Sequence, residues 1–495
     1  MTDRSLSQEI NTTGEWFLPE NPEQRIPGSL SCSLGRTSIH LNNSFRPING
    51  DIVAEHSESY PLVHGITREQ DAVTIINAVS SGFQFHIGTG GKGQPETLVT
   101  NVLLVGAHLS ADFAYHGMRF RIPGLQAWLS RPIISRTLES DLSVTMRIHR
   151  IPDEPMGIPS IAATLNWKIL TTTGNIADHT AIEVASTGWL EIQPDKPQPL
   201  EWFLEQQNRV TTLLSFLAGE TMSIDCITAS VGERPRDVSV MVGLQNSKCC
   251  SITRLADFFM PRVMMGVEFF DVLSRWFEVY PTVDNPSQLA LSVFSSETLW
   301  THIEFLSLIQ ALEGYHRARF PGDYMEEAQY EMVKSALGAA ILANVSADHK
   351  ASLRSRIRYG NQFSLRKRLN DLAAQLDLPI RRMILGGDGS LPNSWVDTRN
   401  YYTHWDEELR ANLLNTQEMY NANVRLKHFV RALYLQLVGI PPQAIFRALT
   451  NNCSSSQHLI QLNNPGAVLG RILTVVDEQD QANQAVHSNP NEIPD

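Results

Sequence analysis

Residues 426–441 read LKHFVRALYLQLVGIP and decide the fold class of the second half of the chain. Apolar side chains recur there at intervals of three and four, which places them on one helix face: Leu426, Phe429, Val430, Leu433 and Leu437. Gly439 and Pro441 follow as stop signals. The stretch therefore predicts an amphipathic helix that closes a helical domain.

The same spacing extends back along the chain as far as about residue 250. Phe305, Leu308, Ile309 and Leu312 repeat the i, i+3, i+4, i+7 pattern of a core-facing helix. Further helices are predicted over Arg262–Glu278, Glu326–Leu342, Leu365–Leu376 and Arg399–Leu413. An all-helical second half follows from these patterns.

The first half has the period of β-strands instead. Residues 142–148 alternate apolar and polar side chains, which predicts a half-buried strand. Further strands are predicted over Val73–Ile76, Phe83–Ile87, Thr97–Val105, Ala163–Leu170, Ile182–Ile192, Met222–Val231 and Val238–Leu244. One long helix, Pro199–Ala218, interrupts them, with Gly219 suited to its end.

These patterns together predict an α+β protein in which a β-rich N-terminal domain is followed by an all-α helical bundle. The β-rich domain is expected over residues 1–250, with its long helix near 199–218. The helical domain is expected over 251–450. Residues 451–495 should hold a C-terminal helix and then a polar, disordered tail, since Gln, Asn, Asp and Pro dominate from about Asp477.

Composition narrows the class of protein. Hydrophobic residues make up 42% of the 495 residues and the formal charge is −12, so the chain is neither disordered nor coated in basic residues. No run is long enough to span a membrane, and the five cysteines form no C-x-x-C pair. We therefore expect a soluble, reduced, cytoplasmic protein.

The sequence fits neither of two motif templates, the phosphate-binding loop and the zinc-binding H-E-x-x-H. GTGGKG at 88–93 lacks the Ser or Thr that a phosphate-binding loop needs after Lys92, and it also lacks the earlier glycine. A flexible hairpin loop is the better interpretation. The histidines show no H-E-x-x-H spacing, so neither a metal site nor a cofactor is predicted.

Residues 397–409, DTRNYYTHWDEEL, bring together side chains suited to phosphate chemistry. If Asp397 or Thr398 caps a helix, Arg399 and Asn400 lie in its first turn, where free N–H groups favour an anion. His404 can exchange a proton near neutral pH, and Arg399 can hold negative charge. By itself the Arg-x4-His pair decides little, because chance supplies roughly one in a chain of this composition. In the alternative interpretation, Arg399 binds a nearby acid and His404 is an ordinary surface residue.

A basic stretch precedes this segment. Residues 350–382 contain nine cationic and two acidic side chains, in a protein whose total charge is negative. Such a stretch suits RNA phosphates, although a solvated helix face is common. The side chains predicted to bind nucleic acid are Arg358, Arg366, Lys367, Arg368 and Tyr402, the last by stacking on an unpaired base.

Several stretches resemble one known family. RNYYTH at 399–404 is similar to the R-N-x3-H form of the R-x4–6-H signature of HEPN ribonucleases. Other segments resemble the ApeA-type anti-phage HEPN proteins: QALEGYH at 310–316, FSLRKRL at 363–369 and the helix at 433–440 in the second half, with GEWFLP at 14–19, IPGSL at 26–30 and LLVGAH at 103–108 in the first.

This resemblance implies an abortive-infection effector that cuts cellular RNA, with transfer RNA favoured, without a metal. It implies 2′,3′-cyclic phosphate and 5′-hydroxyl ends, His404 as the acid or base, Arg399 as the group that stabilises the phosphorane, and Asn400 as the group that positions the phosphate. It also implies a homodimer or higher homo-oligomer and an N-terminal domain that senses an unknown phage trigger. Glu313 is expected to face the site from its helix.

Two other functions remain open from the sequence. A HEPN-like scaffold could bind RNA or a nucleotide without cutting it, with Arg399 and His404 in structural roles. A metal-dependent hydrolase is a third hypothesis, although no ligand cluster supports it.

Overall fold

A computed structural model describes residues 4–34, 36–45, 59–83, 95–131, 133–138, 140–141, 143–173, 184–231, 236–243, 250–296, 298–451 and 453–464. Two compact units divide the chain, and the change from one to the other falls within residues 255–264. The predicted loop at 88–93, most of the predicted strand Phe83–Ile87 and the tail beyond residue 464 lie outside the described residues.

The first unit is rich in antiparallel strands. Their bounds are β1 Ile10–Leu18, β2 Asn21–Ser33, β3 Arg36–Leu41, β4 Ser59–Thr67, β5 Ala72–Phe83, β6 Glu96–Thr100, β7 Val102–Val105, β8 Met118–Arg121, β9 Ile134–Leu138, β10 Val144–Ile148, β11 Glu154–Ile158, β12 Ala163–Thr173, β13 Val184–Pro194, β14 Cys226–Val231 and β15 Arg236–Val242. Among the described residues of this unit, two α-helices accompany them, α1 Leu125–Trp128 and α2 Leu200–Ala218.

Six of these strands pair into a closed ring. The order β5-β4-β1-β2-β3-β6 returns to its start because β6 also pairs with β5. The long strand β5 makes this possible: Val73–Ile76 pair with β7, whereas Val79–Phe83 pair with β6. Inward side chains such as Trp16 and Ile39 are fully buried, as expected for a small barrel whose interior is filled by side chains.

The remaining strands of this sheet continue from β7 in the order β15-β14-β8-β13-β12-β11. The helix α2 agrees closely with its prediction. It begins after Pro199 and ends at Gly219, whose φ of 88° is the left-handed conformation that glycine adopts easily at a helix end.

The strand β10 corrects one prediction. Its alternating sequence predicted a half-buried strand, but every residue of β10 and of its partner β9 is exposed. The two strands form a separate ribbon outside the large sheet. Alternation identified the strand, but it could not show whether anything packs against the apolar face.

The second unit consists of helices. Their bounds are α3 Phe269–Ser295, α4 Thr301–Arg319, α5 Glu327–Ala339, α6 Ala347–Arg358, α7 Leu365–Gln375, α8 Leu378–Leu385, α9 Asn393–His404, α10 Thr416–Leu437, α11 Pro442–Thr450 and α12 Ser454–Asn463. The order of a β-rich region and then a helical region confirms the predicted α+β class.

The predicted helix faces form the core of this unit. Phe305 and Leu312 of α4 are buried, as are Leu426 and Leu433 of α10, and α4 packs against α3, α7, α9 and α10. The helix predicted over Arg262–Glu278 has other bounds in the structure. The helix α3 begins at Phe269 and continues through two internal prolines to Ser295.

No helix among the described residues combines the length and the apolar character needed to cross a lipid bilayer.

Candidate active site on helix α9

The helix α9, which carries the Arg-x4-His motif, begins earlier than the sequence predicted. It starts at Asn393 after Pro392 and ends at His404, so Arg399 and Asn400 lie in its second half. Asp397 does not cap a helix, because its carboxylate accepts hydrogen bonds from Arg366 and Asn412 at 3.2 and 3.4 Å. The idea of a phosphate held at the N-terminus of this helix is therefore wrong, because the motif lies at the opposite end.

One face of α9 packs on α4. Trp395 and Thr398 are buried, and Arg399 and Tyr402 continue the same side of the helix at the i, i+3, i+4, i+7 spacing. Arg399 contacts Glu313 of α4, while the ring of Tyr402 stacks on His302 near the start of α4, with centroids 5.7 Å apart. The two helices therefore run in opposite directions at this contact.

Arg399 belongs to a three-residue ionic cluster. Its Nη2 donates to Glu313 Oε2 at 3.2 Å, and the Nη2 of Arg317 donates to Glu313 Oε1 at 2.9 Å. The side chains of Arg399 and Glu313 are 20% and 10% exposed, so solvent screens this pair weakly, whereas the Arg317 side chain is 48% exposed and its contact is screened more. Because two guanidinium groups share one carboxylate, the cluster keeps a net positive charge. It therefore retains attraction for an anion such as phosphate.

Asn400 extends this cluster. Its Oδ1 accepts a hydrogen bond from Arg399 Nη1 at 3.2 Å, which holds the amide beside the guanidinium. Arg399 and Asn400 are thus brought together by the structure, and both are partly exposed.

His404 points elsewhere. It is the last residue of α9 and is exposed, and five residues separate it from Arg399, a rotation of about 140° around the helix axis. No described residue makes a hydrogen bond or ion pair with its ring. Within one chain, therefore, the histidine is accessible to a substrate but does not converge with Arg399.

An aromatic patch surrounds this end of α9. We define it as Trp300, His302, Tyr401, Tyr402 and Trp405. Trp300 and Trp405 are 76% and 67% exposed, and Trp405 adopts a left-handed φ of 54° that terminates the helix. Aromatic side chains exposed to this extent can stack on unpaired bases.

The basic residues of α7 are largely engaged. Arg366 donates to Asn393 and to Asp397 of α9, so it ties the two helices together. Lys367 pairs with Asp371 and lies over the ring of Phe363. Both side chains remain partly exposed to solvent.

Arg368 corrects another prediction. It was expected to bind RNA, but it is 2% exposed and donates to His316 Nδ1 and to the carbonyl oxygens of Gly322 and Phe363. Burial and the neighbouring Arg368 lower the pKa of His316, and burial also lowers the pKa of Arg368. In this arrangement the guanidinium supports the fold and does not reach solvent.

Arg358 has the opposite environment. It is the last residue of α6, is exposed, and makes no ion pair or hydrogen bond with a described residue. It therefore remains available to a phosphate.

A metal site is not evident in the part of the chain that the structure describes, where no three His, Cys, Asp or Glu side chains come together.

Sequence reasoning gave too little weight to the partners that α4 supplies. The sequence suggests Glu313 as a residue that faces the site, but it does not predict Arg317 or His302. The i, i+4 spacing of Glu313 and Arg317 was a usable signal for an ion pair. The contact from Glu313 to Arg399, 86 residues away, was not.

Comparison with protein-family models gives two matches. The model described as ApeA N-terminal domain 1 matches residues 11–276, more than half of the chain, and the model described as Apea-like HEPN matches residues 306–444. The second match includes α9 and Glu313, the α4 residue that accepts a hydrogen bond from Arg399. No curated protein and no solved structure matched. The chain therefore belongs to the ApeA-type HEPN family of anti-phage effectors.

Proposed function

We propose that the protein is a metal-independent endoribonuclease that cuts cellular RNA, with transfer RNA as the favoured substrate, when phage infection is sensed. The observation that carries the proposal is the site on α9. Arg399, the centre of a positively charged cluster, lies on the same helix as an exposed histidine that no described residue engages, within the segment that matches the HEPN model.

The proposed chemistry uses the substrate's own 2′-hydroxyl. That oxygen attacks the adjacent phosphorus as a base removes its proton, and the bond to the 5′-oxygen of the next nucleotide breaks as that oxygen receives a proton. The products are a 2′,3′-cyclic phosphate and a 5′-hydroxyl. His404 suits the proton transfers because imidazole exchanges protons near neutral pH. Arg399 suits the developing negative charge, and Asn400 suits a phosphate oxygen.

His404 and Arg399 lie on different sides of α9, which favours a site completed by a second copy of the chain. In an in-line displacement the attacking 2′-oxygen and the leaving 5′-oxygen lie on opposite sides of the phosphorus, so a single His404 would not reach both of them at once. A homodimer that brings two copies of α9 to one cleft would supply a second histidine. We therefore include a homodimer or higher homo-oligomer in the proposal, with the N-terminal domain as the sensor of an unidentified phage component.

The test is cleavage of total transfer RNA in the presence of EDTA. We expect wild-type protein to give cyclic phosphate ends, and His404→Ala to cut at least about 10²-fold more slowly, as expected when an acid-base group is removed. Because His404 is exposed, its replacement should change the free energy of unfolding by less than about 0.5 kcal/mol.

The matched control is His458→Ala, which removes an exposed histidine of the same unit, in α12. It should cut RNA like the wild type. The assay is repeated with lysate of infected cells to supply a trigger. Undiminished cleavage by His404→Ala would rule out His404 as the acid-base group. RNA binding without cleavage, with or without lysate, would favour the non-catalytic scaffold, an alternative supported by the engagement of Arg399 with Glu313.

A further inference from the structure

The helix α6 is unusual within the second unit because none of its residues is buried. It carries four cationic side chains and one carboxylate, Asp348. The neighbouring helix α5 buries only Tyr330, whose hydroxyl donates to the carbonyl oxygen of Ile357 in α6. The cationic side chains of α6 are therefore not explained by a role in an apolar core.

The cationic side chains of α6 are arranged regularly. Lys350, Arg354 and Arg358 are four residues apart, which puts them along one side of the helix at intervals of about 6 Å. We call these three residues the basic row. Arg356 lies on the other side of the helix, so it provides an internal comparison.

The arginines of the basic row have no intramolecular role that the described residues reveal. Arg354 and Arg358 are exposed and make no ion pair or hydrogen bond with a described residue, and Lys350 donates only to the carbonyl oxygen of Ala343. Three solvated cations side by side repel each other, so an anionic partner would relieve this cost.

The C-terminal end of α6 leads towards α9. Gln362, four residues beyond Arg358, accepts a hydrogen bond from Arg317 Nη1 at 3.4 Å. Arg317 shares the carboxylate of Glu313 with Arg399. A chain of side-chain contacts within one unit thus joins the segment after α6 to the candidate active site.

An exposed aromatic residue follows the row. Tyr359 caps α6 at its C-terminus and is 56% exposed. A row of cations that ends beside an exposed ring suits a single-stranded nucleic acid, which offers phosphates to the cations and an unpaired base face to the ring. An acidic protein would use the cations but would not need the ring.

We propose that the basic row binds the phosphate backbone of the RNA and leads the strand to α9. This inference rests on the proposed function for the identity of the substrate, but it concerns binding, which is measured without cleavage. Its occupant is an RNA strand with unpaired bases.

The experiment measures the Kd for total transfer RNA over a range of salt concentrations, with the His404→Ala protein so that no cutting occurs. Adding Arg354→Gln and Arg358→Gln together should weaken binding about tenfold. It should also lower the slope of log K against log salt by about 1.4, that is, about 0.7 for each lost contact with a single strand. Glutamine preserves helix propensity, so folding should be unaffected.

Two controls isolate the basic row. Arg136→Gln with Arg147→Gln removes the same charge from exposed positions of the β9–β10 ribbon, and Arg356→Gln removes an arginine from the other side of α6. Both should leave the Kd within about twofold and the salt slope unchanged. Binding that falls equally in a control and in the row variant would show a general charge effect and overturn the proposal.

Failure of this inference is distinguishable from failure of the proposed function. Cleavage by wild-type protein together with unchanged RNA binding in the row variant would overturn the inference alone. RNA binding that depends on the row, without any cleavage, would support the inference and contradict the nuclease proposal. No measurable RNA binding would overturn the inference, and the row would then be tested against acidic proteins.

Discussion

The helices α6 and α7 come from the same basic stretch of sequence, but the structure gives their cations different environments. The arginines of α6 are exposed and without described partners, whereas in α7 Arg368 is buried and Arg366 and Lys367 are paired. The difference shows that local charge in a sequence does not measure the charge available to a ligand. Availability depends on acids and carbonyl groups that other segments place nearby.

The strongest test of this difference replaces the buried member. Arg368→Leu leaves the buried His316 Nδ1 and the partly buried carbonyl oxygens of Gly322 and Phe363 without their donor, so we expect the free energy of unfolding to fall by about 3 kcal/mol. Arg354→Gln should change it by less than about 0.5 kcal/mol. Urea unfolding followed by circular dichroism measures both. Equal effects of the two substitutions would remove the distinction between the helices.

A second buried cationic site extends the comparison to α10. His428 and Arg431 are both buried, and burial, with the charge of Arg431, lowers the pKa of His428 to about 3. The unfolded chain therefore takes up a proton below pH 6.5 that the folded protein refuses, and stability is lost as the pH falls from about 6.5 towards 3. At pH 5 the loss should be about 2 kcal/mol.

His428→Gln removes the titrating group while retaining a donor for the carbonyl oxygen of Ser455. Urea unfolding at pH 7 and at pH 5 should then show about 2 kcal/mol less acid destabilisation in the variant than in the wild type. An identical acid loss in both proteins would mean that His428 is not the responsible group.

The smallest expected effect concerns Arg366, whose exposure is intermediate between that of the buried Arg368 and that of the exposed arginines of α6. Its pair with Asp397 is partly solvated, so Arg366→Gln should lower the free energy of unfolding by about 0.5 kcal/mol. The same variant also tests RNA binding. Because Arg366 already donates to Asn393 and Asp397 of α9, its replacement should weaken transfer RNA binding less than loss of the α6 arginines does. A loss of transfer RNA affinity as large as that of the Arg354→Gln, Arg358→Gln protein would contradict the division between α6 and α7.

Part of the fold could be predicted because local and tertiary preferences agree there. The helix α2 has a proline before its start and a glycine after its end, and its apolar side chains are buried as their spacing indicates. The β9–β10 ribbon was predicted only in part. The alternating sequence of β10 predicted a strand. Whether its apolar side is buried depends on another element packing against it, which a short segment of sequence does not determine.

The candidate site was predictable only as a set of residue types. The sequence singled out Arg399, Asn400 and His404, and the structure brings the first two together while His404 faces solvent. Glu313 could not be fixed from spacing, because its contact with Arg399 depends on how α4 and α9 pack.

The sequence by itself determined the order of a β-rich half and a helical half, the faces of α4 and α10 that form the core, and the Arg-Asn-x3-His motif. These features depend on the periodicity of apolar side chains and on interactions between residues close in sequence, both of which can be read from short segments. The tertiary structure decided where α9 begins, because burial of Trp395 extends the helix before Asp397 and because Arg366 and Asn412 engage the Asp397 carboxylate. It also decided which cations stay exposed. Asp397 of α9 pairs with Arg366, and His316 and Gly322 accept hydrogen bonds from the buried Arg368, whereas no described residue pairs with the arginines of α6.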